Sequence, residues 1–84
     1  MKTKETAAQA YQRNQDDVGA LLDLVGQEMA HHHEYAKTEG IHFGHAGDLA
    51  ALRKTLIEAL AQLAQQDEAF ITRHLDEMRE ERRK

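Results

Sequence analysis

The sequence predicts an all-α fold: two long antiparallel helices forming a helical hairpin, which dimerises into a four-helix bundle. Three observations lead there. The chain has 84 residues and no proline, and it is rich in Ala, Leu, Glu, Gln, Lys and Arg, which enter helices at little cost. Apolar residues recur at steps of three and four on both sides of its middle, the period of a helix face. Three of the five glycines, Gly40, Gly44 and Gly47, fall within one short stretch, which marks the evident break. The whole chain, 1–84, reads as one domain: a helix over about 6–39, a Gly/His loop over 40–47 and a helix over about 48–81.

The first helix has a start signal. Thr6 and Gln9 have capping-box spacing, in which each side chain satisfies a free N–H of the first turn. Val18, Leu21, Leu22, Val25, Met29 and His32 then share a face. Gly40 followed by Ile41 suits a helix C-terminus in which glycine takes a positive φ. The second helix is expected to begin at Asp48, an acceptor for the first free N–H groups. Leu49, Leu52, Leu56, Ile57, Leu60, Leu63, Ala64, Phe70, Ile71, Leu75 and Met78 hold the period after it.

Two helices of similar length joined by a short loop pair antiparallel. With facing positions summing to 86, Met29 meets Ile57, Leu22 meets Ala64 and Tyr11 meets Leu75, so apolar faces apolar. The apolar faces are nonetheless wider than one hairpin can cover, and long exposed apolar patches are rare on soluble monomers. A second copy is the simplest cover. Leu22, Val25, Met29, Leu56, Leu60, Leu63 and Phe70 are the expected interface. Gly19 and Gly26 lie on the stripe of Leu22 and Met29, where they allow close helix approach. Asn14, Asp67 and His74 interrupt the stripes as boundary positions or as a buried polar layer that fixes register.

Composition closes several function classes. With no cysteine there is no disulfide, thiol nucleophile or Cys-based zinc site. With no serine, a Ser-His-Asp triad is impossible. Gly40-x-x-x-Gly44-x-x-Gly47 lacks the Gly-Lys-Ser/Thr ending of a phosphate loop. A net charge of −4 disfavours nucleic acid, and no apolar run approaches a membrane span. The polar start predicts no secretory leader and a cytoplasmic location. The basic run Arg79–Lys84 complements a helix C-terminal dipole.

Five of the six histidines fall between residues 31 and 45. Their protonation would move the formal charge from −4 toward positive values just below neutrality. Glu28-Met29-Ala30-His31 matches the Glu-x-x-His pattern of dimetal sites in helical bundles. Glu28, His31, His32, His42, His45 and Glu58 are the candidate ligands, a set suited to zinc, iron, nickel or copper. No motif calls for a cofactor or marks an enzyme. The first reading is therefore a small dimeric interaction or regulatory module, whose expected partners are a second copy and another protein. Ile41, His42, Phe43 and His45 form its partner-contact loop. A metal-binding bundle is the alternative.

Overall fold

The computed structural model describes residues 4–83. Met1–Thr3 and Lys84 of the basic tail lie outside them. The fold is all-helical, with no strand among the described residues. The described residues form three helices, α1 (Ala7–Glu39), α2 (Phe43–Ala64) and α3 (Glu68–Arg83), where the sequence predicts two. They divide between two compact units, Met1–Gly40 and Ile41–Lys84. Among the described residues no helix is long and apolar enough to cross a membrane.

The first unit is α1, about 50 Å long at the usual rise per residue. Its capping box forms as the sequence predicts. The Thr6 N–H donates to Gln9 Oε1 (2.9 Å) and the Gln9 N–H to Thr6 Oγ1 (3.1 Å). Gly40 ends the helix at φ 88°, its N–H donating to the Lys37 carbonyl (3.4 Å). The surface carries local ion pairs, Arg13–Glu5 and Lys37–Glu34, both at 3.2 Å, and exposed pairs of this kind contribute little.

The second unit departs from expectation in two places. α2 starts at Phe43, five residues ahead of Asp48, because His42 supplies a cap. The helix then stops at Ala64 although no glycine or proline follows. Gln65 takes the left-handed conformation (φ 57°, ψ 42°). Its N–H donates to the Gln62 carbonyl (3.3 Å) and that of Gln66 to the Ala61 carbonyl (3.0 Å), which is the Schellman pattern of helix ends. Asp67 restarts the chain: its Oδ1 accepts from the Phe70 N–H at 2.8 Å.

The energetic reason for the break is the core it creates. Ile57, Ala61 and Ile71 are buried together, with Leu75 packed against them. In an unbroken helix Ile57 and Ile71 would stand about 20 Å apart, so α3 must fold back on α2 for them to meet. Within this unit Ile57 packs with Ile71, and Leu75 packs on the same cluster. Asp67 is a helix cap and not a member of a buried polar layer with His74. On the outer side of α3, the Arg73 guanidinium lies 5.7 Å from the Phe70 ring centroid, a cation–π contact.

Candidate functional site

Among the described residues two features stand out as candidates for chemistry or recognition: a histidine pair at the start of α2 and an exposed apolar stripe on α1.

The histidine pair grows from the cap. His42 is extended (φ −137°, ψ 179°), and its Nδ1 accepts from the Gly44 N–H at 3.0 Å. Three residues on, His45 Nδ1 accepts from the His42 N–H at 3.2 Å. The two imidazoles thus form a capping box of the kind usually built from Ser/Thr and Glu/Gln. Their rings stack with centroids 3.8 Å apart and planes inclined by 27°. His45 is buried, 6% exposed, while His42 is open to solvent. Gly44 fits because it lacks a side chain. A Cβ there would lie 2.8 Å from His42 Cε1 and 3.0 Å from Nδ1.

These hydrogen bonds fix the tautomer. An Nδ1 that accepts from an N–H carries no proton, so in a neutral ring the proton is on Nε2. In that tautomer each ring presents an Nε2–H donor. The pair also offers ring nitrogens within 4.8 Å of one another, close enough to share an ion. An ion bound at Nδ1 would displace the backbone N–H groups, so metal and cap compete for the same lone pairs.

The remaining candidate ligands are spread out. Glu28 and His31 form an exposed local pair on α1, Oε1 to Nδ1 at 3.7 Å, beyond hydrogen-bond range. His32 is half-buried on that helix and His33 is exposed. Glu58 is exposed on α2, thirteen residues beyond His45. That is about 20 Å along the same helix, so Glu58 cannot join the His42–His45 pair on one ion. Glu39, which no spacing motif singles out, is separated from His42 only by Gly40 and Ile41.

Glu39 has a second role. It hydrogen-bonds the Tyr35 phenol one turn back and holds that phenol above its ordinary pKa of 10.0, first through this bond and then through its charge. A carboxylate at a helix C-terminus opposes the dipole, and the phenol proton offsets part of that.

The apolar stripe of α1 is uncovered. Tyr11 is 69% exposed, Leu22 57% and Met29 45%, and Val18, Leu21 and Leu24 are also exposed. Val25 is half-buried. Gly19 and Gly26 beside them face open space, with nothing within 4 Å of the point where a Cβ would stand at either residue. In the second unit Leu56, Leu60, Leu63 and Phe70 are exposed too, Leu63 at 82%. The expected contact loop is in fact the N-terminus of α2: Ile41 is exposed and Phe43, the first helical residue, is 94% exposed.

Compared with protein-family models, curated proteins and solved structures, the chain matches none.

Proposed function

We propose that this chain is a self-associating interaction module, in which two copies bury the apolar stripe of α1. The carrying observation is the length of that stripe. Tyr11, Val18, Leu22 and Met29 lie more than 40% exposed along one helix, and an uncovered apolar surface of this extent marks an interaction site. An isolated helix also draws most of its stability from packing an amphipathic face. Sedimentation velocity should show a dimer at about 100 µM that dissociates on dilution, as expected for a Kd in the micromolar range. Leu22→Asp should abolish it. A monomer throughout that range would overturn the proposal.

Phe43, prominent at the head of α2, offers a second contact point for a partner protein. Because His42 and His45 also cap the helix, Phe43→Ala is the clean test of that contact.

The His42–His45 pair supports a second reading, metal binding, with Glu39 near in sequence as a further ligand. Titration calorimetry with zinc or nickel, on protein purified without a metal-affinity step, tests it. Binding should be lost in His45→Ala, and metal uptake should lower the helix signal because the cap is given up. Less than one metal per two chains would remove this reading.

A further inference from the structure

We infer that the two copies of α1 pair antiparallel, about a two-fold axis between residues 23 and 24. This rests on the self-association reading and specifies its geometry. The stripe advances by alternating steps of three and four through Gln15, Val18, Leu22, Val25, Met29 and His32, the spacing of a two-helix seam. Its order is self-complementary under reversal. With facing positions summing to 47, Gln15 meets the second copy's His32, Val18 meets Met29 and Leu22 meets Val25. The two polar members of the seam pair with each other and the apolar members pair among themselves. The same axis passes within one residue of the middle of Ala7–Glu39, so the helices overlap along their full length.

The flanks agree. Gly19 and Gly26 fall on one side of the seam, and reversal brings Gly19 to about 3 Å along the axis from the second copy's Gly26. Glycine is the poorest helix former after proline, and each of these has open space beside it within its own chain. A flank without Cβ atoms lets two backbones approach closely, which gives both residues a reason to be glycine. The opposite flank carries Leu21 and Leu24, both exposed, which fill the wider side.

The flanks separate this arrangement from the parallel one. Parallel pairing places the glycine flank of one helix against the leucine flank of the other on both sides of the seam. Reversal gathers the glycines of both copies on one side, where the backbones can approach, and the leucines on the other.

The chain has no cysteine, so introduced thiols report the pairing directly. Gln15→Cys and His32→Cys would be prepared separately, mixed in equal amounts and oxidised mildly, while light scattering on the reduced samples gives the oligomeric state. The expected product is a disulfide between Gln15→Cys of one chain and His32→Cys of the other, with little linking within either sample alone. A dimer in which Gln15→Cys links to itself would overturn the antiparallel register and leave self-association standing. A monomer by light scattering would overturn both. As a second measurement, Gly19→Ala/Gly26→Ala should raise the helix content of dilute protein yet weaken dimerisation by about tenfold or more, since added methyl groups overpack a close contact. Unchanged dimerisation would overturn the close approach.

Discussion

Between Ala7 and Glu39 the chain spends 33 residues on a single helix that buries Ala36. Between Phe43 and Arg83 it spends a similar length on two helices that bury Ile57, Ala61 and Ile71 against one another. Both stretches have apolar residues at helical spacing and both lack proline. They differ at one point: Gln65, Gln66 and Asp67 end one helix and cap the next, and α1 contains no equivalent. A helix that turns back can cover its own apolar face, whereas a helix that runs straight must leave its face for another surface. The break therefore separates a unit that supplies its own core from one that does not.

The sharpest test of this contrast is a truncation in each region. Ile71→Ala should destabilise the α2–α3 unit by about 2–4 kcal/mol, the usual cost of removing a buried Ile side chain. Hydrogen exchange should show α2 and α3 losing protection. Leu22→Ala on α1, more than half exposed, should cost less than about 0.5 kcal/mol in dilute protein. Its effect should grow as protein concentration rises. Equal costs for the two at low concentration would break the contrast.

Caps come next in size. His42→Ala removes an acceptor from the first turn of α2 and should cost about 1 kcal/mol, with His42→Ser recovering much of it. The control on α1 is Thr6→Ala, where the more common Thr/Gln box does the same work. Urea melts of the two variants compare them directly. A His42→Ala protein as stable as wild type would show that the imidazole box is ornamental. Smaller still is Gln65→Gly. A non-glycine residue in the left-handed region is strained by roughly 1 kcal/mol, so glycine there should stabilise the turn by about 0.5 kcal/mol after its own entropy cost. A loss of stability would mean that the Gln65 side chain contributes contacts that outweigh the strain.

The sequence made the class of fold legible, together with the start of α1 at Thr6 and its end at Gly40, because each rests on a local signal. The break at 65–67 was written less plainly. Gln65 is an unusual residue for a left-handed helix end, and Asp67 continues the seven-residue spacing of Leu60 and His74, so periodicity reads straight through it. The one local signal was Asp67 followed by Glu68, an acceptor and then an acidic first turn. What decides the break is the meeting of Ile57 with Ile71, a contact between positions fourteen apart that local pattern does not reveal. The histidine site was half legible for a similar reason. Composition flags the cluster, but spacing alone does not say that His42 and His45 turn their Nδ1 atoms onto backbone N–H groups, while Glu28 and His31 stay on an exposed face.

The smallest expected effect concerns the last turn of α1. Glu39 raises the Tyr35 phenol above 10.0. The sign follows from which form the carboxylate favours: the neutral phenol donates to it, and the phenolate is repelled. The contribution to helix stability is therefore fully present below the ordinary phenol pKa and is lost as pH rises through the raised one. In a Tyr11→Phe background, phenolate absorbance should rise at a higher pH than for a free tyrosine, and Glu39→Gln should move that rise back toward pH 10. An identical titration in the Glu39→Gln protein would show that the phenol does not bond this carboxylate. Because the contact is exposed and solvent screens it, the melting behaviour of α1 should hardly change. That places the pair on the same side of the comparison as the rest of α1, whose local contacts tidy the helix ends while the face that could stabilise it remains uncovered.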